Sequence, residues 1–277
     1  MKYRFSTVCG ANYSKESLKS GFGWRNNLNK VGKNKLAKFG EMERFENVIQ
    51  VPYKELQLEN FYLKGKWASG FFKNENPIIL ELGCGKGEYT VELAEKNPTF
   101  NYIGVDIKGA RMHVGAKKAL EKNLKNVAFL RTNIEIINQF FGEEEVAEIW
   151  LTFPDPQMKK TRKRLTSTSF LNLYKQFLKK DGIVHLKTDS NFQYTYTSAL
   201  VHLNEFEIMA ETDNLYESEI LNETLQIKTF YEKQWLSRGI TIKYIAFKLI
   251  DREFTEPDIK IEPDEYRSFG RSAKDIH

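Results

Sequence analysis

The chain has 277 residues, with 42 Lys and Arg against 37 Asp and Glu, and a formal net charge of +5. That length suits one large domain with an appendage, or two small ones, and is ample for a buried core, while so mild a basic bias is only a weak pointer to nucleic acid. Two cysteines, Cys9 and Cys84, argue against a disulfide framework and make a reducing cytoplasm the expected compartment; no cluster has zinc-ligand spacing, and no apolar run has membrane-spanning or signal-peptide character.

Residues 1–25 are polar and poorly patterned, which predicts a mobile or loosely packed segment. Asn26 to Glu46 is basic, with Lys30, Lys33, Lys35, Lys38 and Arg44, and reads equally as a solvated arm or an RNA-contacting one. Residues 47–76 mix aromatics with Lys and Glu and predict a short helical lead-in packed on the main domain. From Pro77 onward strand and helix patterns alternate, the signature of a parallel α/β sheet. Strands are predicted at Ile78–Leu82, Tyr102–Val105, Val127–Leu130, Glu148–Phe153, Ile183–Lys187, Phe206–Ala210 and Thr241–Leu249. Helices are predicted at Glu88–Lys96, stopped by Asn97-Pro98, at Gly109–Lys122, Ile134–Phe140, from Thr166-Ser-Thr-Ser to Lys180, and at Phe192–Leu203. Three parts follow: an N-terminal extension (1–76), a main domain (77–250) and a polar tail (251–277), expected to be mobile.

The stretch Ile78-Ile-Leu-Glu-Leu-Gly-Cys-Gly-Lys-Gly-Glu88 is a strand running into Gly83, Gly85 and Gly87 and opening a helix. Glycine tolerates positive φ and lets a ligand approach without meeting a Cβ. A dinucleotide fingerprint wants G-x-G-x-x-G, and Glu88 stands where its last glycine belongs, which disfavours a nicotinamide-dependent oxidoreductase. The pattern Glu-x-Gly-x-Gly-x-Gly instead resembles the first motif of Rossmann-like S-adenosylmethionine (SAM) methyltransferases.

In an open α/β sheet, ligands bind outside the carboxyl ends of the strands. Here those ends carry Glu81, Asp106, Asn133, Asp155 and Asp189 in succession. Asp106, about twenty residues past the Gly turn, is placed to reach the ribose hydroxyls of a nucleotide-like ligand, though alone it also reads as a helix cap. Asn133 reads as a cap, or as an amide pairing with an adenine edge. Pro154 and Pro156 flank Asp155, which predicts restricted, extended backbone before each ring and a carboxylate aimed into the site. Lys159, Lys160, Arg162, Lys163 and Arg164 follow at once, so a polyanionic substrate beside the cofactor competes with a merely solvated charge run.

Phe153-Pro-Asp-Pro followed by lysines, the Gly motif, Lys187-Thr-Asp189 and Thr229-Phe-Tyr-Glu232 together resemble the tRNA (guanine-N7-)-methyltransferases over about residues 30–250. The Gly motif is generic; the Pro-Asp-Pro and late motifs are specific. The resemblance implies a class I Rossmann-like fold, a mostly parallel sheet flanked by helices behind the basic N-terminal extension. It implies methyl transfer from SAM to guanine N7 at position 46 in the tRNA variable loop. It places Glu81, Gly83, Gly85, Gly87, Asp106, Asn133 and Asp155 around SAM, with Asp155 also catalytic. Lys159, Arg162, Lys163, Arg164, Asp189, Thr229, Phe230, Tyr231 and Glu232 would meet the tRNA. Three departures stand out: Gln157-Met158 where an aromatic is common, a shorter basic loop without histidines, and Asp106 for a common Glu. The implied enzyme needs no metal or membrane and leaves monomer and homodimer both open. A SAM methyltransferase for a small molecule or protein would not need the basic loop, and a non-catalytic RNA-binding module would not need the pocket series.

Overall fold

The computed structural model describes residues 28–268. Expectations for residues 1–25 and for the last nine residues lie outside the described residues. Chain order is α1 (Leu28–Met42), β1 (Val48–Gln50), α2 (Tyr53–Leu58), a π-helical turn (Trp67–Phe72), β2 (Ile78–Leu82), α3 (Glu88–Lys96), β3 (Asn101–Val105), α4 (Gly109–Glu121) and β4 (Val127–Arg131). It continues with a 3-10 segment (Ile134–Gln139), β5 (Val146–Thr152), α5 (Thr168–Tyr174), β6 (Leu178–Thr188), α6 (Asn191–Leu203), β7 (Ile208–Thr212), α7 (Phe230–Leu236), β8 (Lys243–Lys248) and α8 (Glu265–Ser268).

The strands form one sheet in the order β1-β4-β3-β2-β5-β6-β8-β7, parallel from β1 to β6, with β8 and β7 antiparallel at the far edge. Helices cover both faces, so the central strands are apolar on both sides. Side-chain alternation splits the core in two. Ile78, Leu80, Leu82, Ile149 and Leu151 pack into one cluster, and Ile79, Tyr102, Phe129 and Trp150 into the other. Glu81 has the parity of Ile79 and therefore points toward the α3 and α4 side. Strand order reverses between β2 and β5, and the crevice above that point is where such sheets take ligands.

Four expectations need correction. The lead-in contributes a strand: β1 pairs in parallel with β4, Ile49 opposite Leu130, and joins the sheet edge. The helix after Thr166 ends at Tyr174, because Phe177 and Leu178 turn inward and Leu178 pairs with Val146. The Asp181-Gly182 turn is an excursion within β6, with Asp181 at φ 62°, after which pairing resumes at Ile183 opposite Glu148. The tail is laid on the domain as far as Tyr266. Glu256 accepts hydrogen bonds from the Thr168 N–H (3.1 Å) and hydroxyl (2.8 Å), capping α5 where Ser167 makes no side-chain cap. Asp264 accepts from the Phe192 N–H (3.0 Å) and the Ser190 hydroxyl at the start of α6. Buried or half-buried carboxylates with such partners hold a polar segment in place without an apolar run to announce it.

Candidate active site

Past Leu82 the chain turns through Gly83, Gly85 and Gly87, with φ of 84°, 56° and 68°. The Gly83 and Cys84 N–H groups both donate to the Val105 carbonyl, at 2.8 and 3.0 Å, which docks the turn on the end of β3. A Cβ on Gly83 would meet nothing within 4 Å, whereas one on Gly87 would lie 2.5 Å from the Phe129 ring. The first glycine thus borders open space, and the third lets the helix start close on the sheet. Burial pushes the Cys84 thiol well up, which suits a filler of the turn and not a nucleophile.

Glu81 sits beneath this turn, buried, and is held from both sides of the switch point. One oxygen accepts from the Thr90 N–H (2.9 Å) and the Thr90 hydroxyl in α3, the other from the Thr152 hydroxyl at the end of β5. Burial pushes its carboxyl up to about 7, and the hydrogen bonds from Thr152 and Thr90 oppose that rise.

Asp106 ends β3 and shapes the same turn. Its Oδ2 accepts from the Gly85 N–H at 2.9 Å and its Oδ1 from the Lys108 N–H at 2.7 Å. Asn133, beyond β4, caps the following 3-10 segment through its Oδ1 and the Glu135 N–H at 3.2 Å. Asn133 therefore caps as one of its two readings expects and also lines a cavity with Ile107, whereas Asp106 caps no helix, because Lys108 stands at the start of α4 without a side-chain cap.

Asp155 is exposed beyond β5, and its Oδ1 accepts from the Gln157 N–H at 3.0 Å. The backbone around it departs from the expected extended form. Phe153, just before Pro154, has φ 51°, and Gln157 has φ 47°, both unfavourable for residues with a Cβ. The Phe153 N–H still donates to the Lys187 carbonyl at 2.8 Å, so the strand is paired up to the point where it bends. The bend at Phe153, in place of extension before Pro154, leads the chain to Asp155.

The basic run divides. Lys159, Lys160, Arg162 and Lys163 are exposed, with Lys163 paired to Glu135. Arg164 is only 7% exposed. Its guanidinium lies 4.7 Å from the Phe192 ring and 4.4 Å from the Tyr196 ring, and it donates to the Met158 carbonyl at 3.2 Å. Arg164 therefore anchors the loop onto α6 and is not presented to a substrate phosphate.

The late motif divides likewise. Thr229 and Glu232 form a capping box at the start of α7: the Thr229 hydroxyl accepts from the Glu232 N–H, and the Glu232 carboxylate accepts from the Thr229 N–H. Glu232 is fully buried and pairs with Lys187 at 2.8 Å, while the Tyr216 hydroxyl donates to it at 2.6 Å. Phe230 and Tyr231 are the exposed members. Asp189, 1% exposed, accepts from the Tyr266 hydroxyl at 2.7 Å and lies under the tail. Glu232 and Asp189 thus hold the frame around the crevice, in correction of their expected contact with substrate.

Two further residues of the Gly motif act at a distance in sequence. The Glu88 carboxylate accepts from the Phe230 N–H at 3.1 Å, and the Lys86 ammonium lies 4.1 Å from the Phe230 ring centroid. They fasten the late motif to the Gly turn across most of the domain's sequence, and nothing local to Lys86 or Glu88 announces it. Thr90 and Thr152, the partners of Glu81, also carry no signal beyond their helix-start and strand-end positions. Among the described residues no group of His, Cys, Asp and Glu is arranged to hold a metal ion, and no helix is long and apolar enough to cross a membrane.

Residues 75–245 match the family model described as "Putative methyltransferase". A tRNA (guanine-N(7)-)-methyltransferase of Bacteroides fragilis (strain YCH46) is 56% identical over 245 residues, spanning 88% of this chain and 97% of that one. The chain belongs to the tRNA (guanine-N7-)-methyltransferase family. The family protein of Porphyromonas gingivalis (strain ATCC BAA-308 / W83) is 57% identical over 84% of this chain and 98% of its own. That of Clostridium acetobutylicum is 36% identical over 67% and 87%. Among solved structures, the 16S rRNA methyltransferase KamB superposes with a TM-score of 0.51 at 13% identity, over 73% of this chain and 95% of its own. An antibiotic-related methyltransferase gives 0.50 at 18% identity, over 74% and 96%. At such identities these two bear on the fold alone, which is that of the class I SAM-dependent methyltransferases.

Proposed function

We propose that this chain transfers a methyl group from SAM to N7 of guanine in tRNA, at position 46 of the variable loop. The observation that carries the reading is what stands at the carboxyl ends of β2 and β5, where the strand order reverses. There an open Gly turn, a buried carboxylate and an exposed Asp155 adjoin an exposed run of Lys and Arg. The residues suit SAM: Gly83 leaves room for a ligand backbone, and Asp106 and Asn133 follow along the rim in the order ribose, base. Glu81, Gly83, Gly85, Gly87, Asp106, Asn133 and Asp155 would hold it. SAM supplies an electrophilic methyl carried on a sulfonium sulfur.

Guanine N7 has a free lone pair, so no general base has to remove a proton before attack. Lys159, Arg162 and Lys163 engage RNA phosphates and set the position of the target. Phe230 and Tyr231 offer exposed ring faces next to the Gly turn. Asp155 touches the reacting centre and either balances the positive charge gained by the guanine ring or orients a ligand N–H. A soluble cytoplasmic enzyme fits this substrate. The relatives' names support the tRNA substrate, because two of them match this chain at more than half identity over nearly their full length.

The test is incubation of the purified chain with methyl-labelled SAM and unmodified tRNA, followed by mapping of the labelled base. Label at guanine N7 in the variable loop is the expected result. Label on another base, or on protein or small molecules only, overturns the proposal.

A further inference from the structure

We infer that the N-terminal β1–α2 connection forms the outer wall of the adenine half of the cofactor pocket, with Tyr53 as a cofactor-binding residue. This rests on the SAM reading above. Because β1 runs parallel to β4, its carboxyl end emerges on the same edge of the sheet as Asp106 and Asn133. Moving outward from the switch point, the strand ends are Glu81 with the Gly turn, then Asp106, then Asn133, then Val51-Pro52-Tyr53. A nucleoside laid along this edge with its ribose at Asp106 carries its base to Asn133 and on to the β1 exit.

A cavity of about 950 Å³ occupies that place. Its lining includes Asn133 and Thr132 from the end of β4, Ile107 from the β3–α4 turn, and Val51, Tyr53 and Leu56 from the N-terminal extension. The apolar side chains of Ile107, Val51 and Leu56 together with the Asn133 carboxamide match a purine, whose faces are apolar and whose edge both donates and accepts, while the other carboxamide of the lining, Gln50, accepts from Arg131. Tyr53 is 55% exposed and Ile107 57% exposed, two large apolar side chains left in solvent on the rim of a single cavity. The walls are also fixed before any ligand arrives. Arg131 donates from Nη1 to the Gln50 side-chain carbonyl at 3.0 Å and from Nε to the Ile107 carbonyl at 3.3 Å. Its guanidinium lies 4.6 Å from the Phe39 ring of α1. One side chain therefore sets the distance between the β1 exit and the turn after Asp106, and a preformed gap of this kind costs little to fill.

The experiment is calorimetric titration of the full chain and its Tyr53→Ala and Tyr53→Phe variants with S-adenosylhomocysteine and with methylthioadenosine, which lacks the amino-acid end. Thermal melts without ligand check that the exposed substitution leaves the fold intact. The expected result is a five- to twentyfold weaker affinity of Tyr53→Ala for both compounds, by the same factor, with Tyr53→Phe close to the unsubstituted chain. Unchanged affinity of Tyr53→Ala overturns the inference alone. So does a loss confined to S-adenosylhomocysteine, which would put Tyr53 at the amino-acid end. Failure of the unsubstituted chain to bind S-adenosylhomocysteine overturns the proposed function and this inference together.

Discussion

Lys187 of β6 and Glu232 of α7 form an ion pair at 2.8 Å from which solvent is wholly excluded. The Lys187 ammonium also donates to the Leu225 and Ile227 carbonyls, each at 2.8 Å, so all three of its hydrogens are used. Desolvation holds this ammonium below the ordinary lysine range, and Glu232 opposes the fall. Removing one member leaves the other charge buried without its counterpart. Glu232→Ala is expected to destabilise the fold by about 3–5 kcal/mol, measured by urea denaturation. Lys187→Met with Glu232→Leu should recover only part of that loss, because the Tyr216 hydroxyl, the Thr229 N–H and the Leu225 and Ile227 carbonyls then lose their partners. A Glu232→Ala variant as stable as the unsubstituted chain would deny the pair any role in the frame.

Glu81 predicts a pH dependence of stability. Its carboxyl is raised from the ordinary value to about 7, so the folded chain holds a proton that the unfolded chain has released. The stabilising contribution is complete below about pH 4.5 and is lost as pH rises through about 7. Glu81→Gln keeps a neutral side chain at every pH. Between pH 5 and 8 the unsubstituted chain should lose about 2–3 kcal/mol relative to Glu81→Gln. Denaturation curves for both proteins across that range measure the difference directly. Parallel pH profiles would mean that Glu81 is ionised in the folded chain at neutral pH.

The division of the basic run predicts two separable phenotypes. Arg162→Ala with Lys163→Ala should weaken tRNA binding and lower the slope of log affinity against log salt, by up to about 0.9 for each phosphate no longer neutralised. Stability should hardly change, because both residues are exposed. Arg164→Ala should cost about 1–3 kcal/mol of stability, since its stacking on two rings and its hydrogen bond to a carbonyl disappear together. Filter binding across a salt series, paired with denaturation, resolves the two. A reduced salt slope in a fully stable Arg164→Ala variant would return Arg164 to the RNA surface.

Asp155 is tested by charge removal at constant shape. At saturating SAM and tRNA, Asp155→Ala should slow single-turnover methyl transfer strongly while tRNA affinity stays nearly intact, because phosphate contacts dominate affinity. Asp155→Asn should be almost as slow if the carboxylate charge stabilises the guanine cation, and much faster if it serves only as an acceptor. An unchanged rate for Asp155→Ala would remove it from the chemistry.

The central elements are legible in the sequence because each carries its own signal. Ile78–Leu82 and Glu88–Lys96 match to the residue, since an apolar run, three glycines and Asn97-Pro98 bound them on both sides. β1 carries no such signal: it is three residues long, ends before Pro52, and exists only because β4 lies alongside it. The rim of the crevice is legible too, as polar residues at successive strand ends. Which side chains turn inward is not. Arg164 looks like its neighbours in sequence, and what buries it are Phe192 and Tyr196, supplied by a later helix. Thr229 and Glu232 have capping-box spacing, a local signal that the motif's specificity overshadows.

Glu256 and Asp264 close the starts of α5 and α6 across sequence separations of 88 and 72 residues. The basic loop leads into α5, and Asp189 leads into α6. A nascent chain that stops before Glu256 therefore carries both helices without these carboxylate partners, their first amides short of acceptors. The surroundings of the basic loop are completed by residues that follow β8, which makes a cut near residue 250 a loss to the starts of two helices and not a trimming of an idle end.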